Sequence, residues 1–162
     1  MTNTIDLENI DISKAVTIKE TTIGSNRSGH GVTITKGGVI NFGQIFVEEI
    51  GGSKQSLDLE IVHGRVLVIR YYDDDRGKVK KSNTEGRNQY CAKTILKRFI
   101  NKHGVEEIKN RWIRMFEEEK MLRRDESFKL GFNSYNFEED NGLKRRDDKV
   151  IVIDLLGGKG QY

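Results

Sequence analysis

The sequence lacks the features that usually mark secreted, disulfide-bonded or membrane-spanning proteins. Its 162 residues include one cysteine, so neither an internal disulfide nor a four-ligand zinc site built on cysteines can form. No apolar run approaches the roughly 20 residues that a membrane-spanning helix needs. Residues 1–8 are polar and acidic, unlike a secretion signal. We therefore expect a cytoplasmic protein.

Proline is also absent, although a chain of average composition and this length would carry about eight. Together with many lysine, asparagine, isoleucine and glutamate residues, this composition suits an AT-rich genome such as that of a phage or mobile element. Charged residues make up 33% and hydrophobic residues 35%, which indicates a folded protein with a small core. The single Cys91 stands at the start of a helical pattern, where we expect a small buried apolar residue and not a nucleophile.

Positive charge is concentrated in the middle of the sequence. The net charge is only +3, but residues 76–114 hold twelve lysines and arginines against Glu85, Glu106 and Glu107. Such a stretch raises the local electrostatic potential and attracts polyanions, chiefly nucleic acid. The alternative is a solvated face that only keeps the protein soluble.

Hydrophobic patterning predicts two β-hairpins separated by a short helix in the first half of the chain. Alternating apolar residues and glycine turns indicate the strands, and Gly51-Gly52 terminates the helix. The predicted strands are residues 4–23 (one or two strands), 32–35, 39–42, 57–61 and 65–71, and the predicted helix is 43–50.

Two amphipathic helices are predicted next. The first carries one apolar stripe and ends at His103-Gly104, and the second runs from residue 105 to about 122. The residues expected to face inward are Ala92, Ile95, Leu96, Phe99, Ile100, Ile108, Trp112, Met115 and Phe116.

The end of the chain reads as strands at 128–137 and 150–156, a charged turn at 138–148 between them, and a loose tail at 157–162. Strands and helices do not alternate regularly, so we predict an α+β fold. It would consist of antiparallel β-hairpins with a short helix, followed by a two-helix unit and a C-terminal β-hairpin. Two alternatives are open for the domain organisation. The chain consists either of a β-rich region, 1–75, followed by a region, 76–162, with the basic two-helix unit and the C-terminal strands, or of one single domain.

Residues 38–51 carry a glycine, alternating strand residues, a short helix with paired acidic residues, then an apolar residue and glycine. Residues 57–68 continue with a strand, a glycine turn and a strand. The segment 38–68 resembles the AbrB/MazE/MraZ swapped-hairpin family, which implies a homodimer that binds DNA as a transition-state regulator or antitoxin. Gly43 stands where that family usually has proline, and basic residues common in the family are missing. DNA-binding charge would therefore come mostly from 76–114.

The sequence gives weaker support for a catalytic site than for nucleic-acid binding. The glycine-rich loop 24–31 lacks the ending of a phosphate-binding P-loop. Asp58 and Glu60 share a strand face but lack the lysine of a nuclease motif, and the acidic triplet 73–75 reads as a solvated turn. A metal-dependent nuclease using these acids is the third hypothesis. We expect no enzymatic activity, no cofactor and no metal site.

The first hypothesis is a homodimeric, nucleic-acid-binding regulatory protein with DNA as its partner. The alternative is a non-enzymatic phage or mobile-element protein that binds and inhibits a host protein. The predicted nucleic-acid-binding residues are Lys78, Lys80, Lys81, Arg87, Lys93, Lys97, Arg98, Lys102, Arg111 and Arg114.

Overall fold

The computed structural model describes residues 9, 13, 29–83, 86–117, 132–146 and 149–161. These residues form an α+β fold with two antiparallel five-stranded sheets, which confirms the predicted fold class. The strands are β1 (Val32–Thr35), β2 (Val39–Phe42), β3 (Ser56–Val62), β4 (Val66–Tyr72), β5 (Val79–Lys80), β6 (Gln89–Cys91), β7 (Ser134–Phe137), β8 (Leu143–Arg146), β9 (Val150–Asp154) and β10 (Lys159–Gln161). The helices are α1 (Gln44–Glu49), α2 (Lys93–His103), α3 (Glu106–Ile108) and α4 (Arg114–Glu117), with a π-helical segment, Lys109–Ile113, between the last two.

Each sheet is built around one of the predicted hairpins. The first sheet has the order β10-β7-β1-β2-β6, and the second has the order β5-β3-β4-β9-β8. The hairpins β1–β2 and β3–β4 pair as the alternating patterns predicted. A single bridge between Lys81 and Tyr90 joins the adjoining edges of the two sheets. One apolar core then fills the space between them and α1 and α2.

Helix α2 begins beside the turn of the first hairpin. The Ala92 N–H donates to the Gly38 carbonyl oxygen over 2.9 Å. Gly38 has φ +71°, and a Cβ atom there would lie 2.3 Å from the Cα of Lys93. Glycine is required at this position because both the left-handed backbone and the close approach exclude a side chain. The helix ends at Gly104, as predicted, and buries Leu96 and Ile100.

The second predicted helix is interrupted by the π-helical segment, although Ile108, Trp112, Met115 and Phe116 are buried as expected. The Trp112 indole N–H donates to the Leu155 carbonyl oxygen over 2.8 Å. Its ring also lies 5.1 Å from Tyr135, centroid to centroid. The tryptophan therefore attaches the helical segment to the end of the chain. Residues 118–122 of the prediction lie outside the described residues.

The predicted end of the chain needs correction. Residues 143–146, expected within a charged turn, form β8, which makes a hairpin with β9. The expected strand 128–137 is described only as β7, and it pairs with β1 in the other sheet. The tail is not loose, because β10 pairs with the exposed edge of β7 and satisfies backbone groups that would otherwise lack partners.

Cys91 was expected to be buried, but it is exposed. Successive side chains of a strand point to opposite faces, and Tyr90 takes the core side of β6, so Cys91 faces outward. The predicted strands in 4–23 lie outside the described residues, apart from Asn9 and Ser13.

The outer edges of β1, β2 and β4 are paired with strands of the same chain, whereas β5 pairs with only Ser56 and Leu57 of β3. Strands β7 and β6 flank β1 and β2, while β5 and β9 flank β3 and β4. Each sheet thus draws strands from both sides of residue 75. Beyond Leu57, no strand among the described residues pairs with the outer edge of β3.

Candidate functional site

The structure places the ten predicted basic residues in three regions of the chain's surface. Four lie around the β5–β6 connection, four on α2 and two on the following helical segment. These groups are Lys78, Lys80, Lys81 and Arg87; Lys93, Lys97, Arg98 and Lys102; and Arg111 and Arg114.

Lys80 of β5 and helix α2 lie on different sides of the second sheet. Val79 of β5 faces the core, so Lys80 faces outward, opposite Ser56. Helix α2 instead buries Leu96 and Ile100 in the core that contains the inward residues of β3. Lys80 therefore does not share one continuous surface with the cations of α2, because the strand alternation and the helix packing direct them apart.

Two of the four side chains around β5, those of Lys80 and Lys81, make local hydrogen bonds. The Lys80 Nζ donates to the Asp75 carbonyl oxygen. The Lys81 Nζ donates to the Ser53 hydroxyl over 2.7 Å, and Ser53 donates in turn to the Asn88 side chain. These contacts fasten the turns beside the bridge between the two sheets.

Helix α2 presents a positive surface. Its sequence, KTILKRFINKH, contains four lysines or arginines and no acidic residue. Arg98 and Lys102 are exposed, and among the described residues no carboxylate is within ion-pair distance of either. Lys97 contacts Glu117 at 3.4 Å, with the side chains 45% and 56% exposed. An ion pair this exposed is worth about 0–1 kcal/mol, so it competes weakly with a polyanion.

A broad, open groove of about 530 Å³ lies between α2 and the following helical segment. On the α2 side the groove is lined by Asn101. The opposite side is formed by residues of the helical segment: Lys109, Asn110, Ile113, Arg114 and Glu117. The asparagine amides can both donate and accept hydrogen bonds, while the cations bind anions. The distribution of charge along the sequence does not indicate the two asparagines as site residues, because they are neutral and only the helix packing places them beside the cations.

Arg111 has a different environment from Arg114. Its guanidinium donates to the carbonyl oxygens of Leu155 and Gly157 over 3.2 and 3.3 Å. It also lies 4.8 Å above the Tyr135 ring. Arg111 does not line the groove, and its contacts hold the end of the chain against the helical segment.

No protein-family model, curated protein or solved structure matches this chain. Among the described residues, none of the helices has the length and apolar character to cross a membrane.

Proposed function

We propose that the protein binds nucleic acid, with DNA as the expected form, through α2 and the adjoining groove. The observation that carries this proposal is that α2 contains four lysines or arginines and no acidic residue, and that it borders a groove lined by Lys109 and Arg114 on the opposite side. Glu117, which contacts Lys97, is the acid that lines this groove. An 11-residue helix spans about 16 Å, enough to contact several phosphates of a duplex.

The two kinds of groove residue suit two kinds of contact. Lysine and arginine bind phosphates and set the position of the protein without reading sequence. Asn101 and Asn110 offer amides, the group that pairs bidentately with adenine in a groove of DNA. The phosphate contacts supply most of the affinity, so binding falls steeply as salt concentration rises.

The regulatory, homodimeric form of the proposal rests on the resemblance of residues 38–68 to swapped-hairpin DNA-binding proteins. We place its action in the cytoplasm. Since the outer edges of β1, β2 and β4 are paired within the chain, two copies would associate either at the open part of the β3 edge or through another surface. Light scattering at several protein concentrations tests this part separately from DNA binding.

The test of DNA binding is the double variant Arg98→Gln/Lys102→Gln. Fluorescence anisotropy with a labelled duplex, measured over a range of salt concentrations, gives the affinity and its salt slope. If both side chains contact phosphates, the slope decreases by about 1.8, since each phosphate neutralised contributes about 0.9. The wild-type slope should exceed this value because Lys93, Lys97 and Arg114 also contribute.

The matched control is Lys144→Gln/Lys159→Gln, which removes two exposed charges from the outermost strands β8 and β10. It should retain the affinity and the slope. Equal losses in both variants, or no loss in the α2 variant, would refute the interface. The host-protein alternative would be favoured by a different pair of results. A partner protein from host lysate would co-purify in stoichiometric amount after nuclease treatment, and no DNA binding would be measurable.

A further inference from the structure

The outer face of the second sheet carries a cleft of about 290 Å³ at the end of β4. The turn that follows β4 forms one wall, and Lys149, just before β9, forms another. The Tyr71 N–H donates to the Lys149 carbonyl oxygen over 3.3 Å, which connects these walls. The polar residues lining the cleft are Arg70, Tyr72, Asp73, Asp74, Arg76 and Lys149.

Both carboxylates of the cleft are already bound by cations. Asp73 accepts a 2.8 Å hydrogen bond from the Nζ of Lys54, whose side chain is only 7% exposed. This contact lowers the pKa of Asp73 below its ordinary value. Asp74 accepts hydrogen bonds from the Nε and Nη2 atoms of Arg76, at distances down to 2.7 Å. Both acids are therefore paired at short range, and Asp73 also interacts electrostatically with Lys149.

Two cations of the cleft, Arg70 and Lys149, are paired only weakly with acids. Arg70 contacts Glu60 once, at 3.4 Å, and both side chains are about half exposed. Lys149 makes no ion pair with any described residue; the sequence places Asp147 and Asp148, outside the described residues, before it. Arg70 aligns with Val150 across the sheet, so the two cations stand at neighbouring positions. An anion fits here, because it would satisfy both charges.

A cation–π contact between Arg76 and Tyr72 lies beside these cations. The Arg76 guanidinium carbon is 5.5 Å from the centroid of the Tyr72 ring. The Tyr72 hydroxyl donates to Asp58 over 3.0 Å, and the Asp74 pairing holds Arg76. Each of the two side chains is therefore held by a hydrogen bond to a carboxylate. Aromatic rings and guanidinium planes are the surfaces on which unpaired bases stack.

We propose that this cleft binds a nucleotide, with its phosphate on Arg70 and Lys149 and its base on the stack of Arg76 and Tyr72. The volume is close to the lower end of known small-ligand sites and suits one nucleotide unit. That unit is either a free nucleotide or a residue of a single strand. The cleft is separate from the α2 groove, so this inference does not depend on duplex binding.

The experiment titrates the ¹⁵N-labelled full chain with thymidine 5′-monophosphate and, separately, with a ten-residue oligothymidylate. Shifts should centre on residues 70–76 and 149–150. Binding should fall at least tenfold in Arg70→Gln/Lys149→Gln, since a charge-assisted hydrogen bond is lost at each position. It should fall about fivefold to 150-fold in Tyr72→Ala, which removes the ring, but should remain near wild type in Tyr72→Phe, which keeps it.

If the mononucleotide binds and the variants lose affinity as expected, the inference is supported and a free nucleotide is enough to occupy the cleft. Binding of the oligomer alone, with the same losses, supports it with the single strand as the source. Absence of shifts with both ligands, or wild-type binding by Arg70→Gln/Lys149→Gln, overturns it. The variant Arg98→Gln/Lys102→Gln should still bind the mononucleotide, so failure of the α2 interface and failure of the cleft are distinguished.

Discussion

Trp112 and Arg111 should stabilise the fold cooperatively, because both donate to the Leu155 carbonyl oxygen. The indole N–H does so at 2.8 Å and the guanidinium at 3.2 Å, and Leu155 is only 1% exposed. If either donor is removed, the other still satisfies the carbonyl. If both are removed, a buried acceptor loses its two side-chain partners, which carries a larger penalty.

The magnitudes follow from these contacts. Trp112→Phe keeps most of the ring and should cost about 1–3 kcal/mol for the lost hydrogen bond and the volume removed. Arg111→Gln should cost about 1 kcal/mol, because its position is half-buried and its bonds are long. The double variant should exceed the sum by about 0.5–3 kcal/mol, the range of coupling between residues in contact.

Urea unfolding followed by tryptophan-independent far-UV circular dichroism measures all four proteins of this cycle. Lys102→Gln, an exposed change on α2, is the control and should stay within about 0.5 kcal/mol of wild type. Strict additivity of Trp112→Phe and Arg111→Gln would contradict a shared acceptor. A loss of DNA affinity in Arg111→Gln, with unchanged stability, would return Arg111 to the predicted binding residues.

Two further predictions test the hairpin turn and the buried lysine. Gly38→Ala should destabilise the protein by more than about 1 kcal/mol, because its positive φ and the contact with Lys93 both oppose a side chain; a thermal midpoint equal to wild type would show that the turn relaxes freely. The pairing with Lys54 lowers the pKa of Asp73, so its contribution to stability is present above the ordinary value of 3.8 and is lost as pH falls through the lower folded value. Asp73→Asn should therefore lower stability at pH 7 and flatten the acid side of the stability profile, and an unchanged profile would contradict the pairing.

Local periodicity was sufficient to predict much of the secondary structure. The hairpins at β1–β2 and β3–β4 and the stripe containing Leu96 and Ile100 depend on repeats of two or 3.6 residues. These patterns record which face of an element is apolar, so they also identified buried Trp112 and Phe116. They do not record which distant element covers that face.

The strand partners could not be predicted in this way. Strand β7 pairs with β1, about 100 residues earlier, and not with β9, which follows it closely in sequence. The pairing of β10 with β7 depends on an edge that exists only after the first sheet has formed. Such strand pairings are determined by the packing of the whole core, and the local β-strand propensity of the sequence has little influence on them.

For the candidate sites, too, some properties follow from the sequence and others only from the tertiary structure. The amino-acid sequence alone determined that the chain is α+β and that cations are concentrated between residues 76 and 114, since both follow from residue type and spacing. Only the tertiary structure decided that α2 and β5 direct their cations to different sides, and that Arg70 and Lys149 meet at one cleft. Charge along a chain is one-dimensional, whereas binding depends on the direction that each element's packing gives to its side chains.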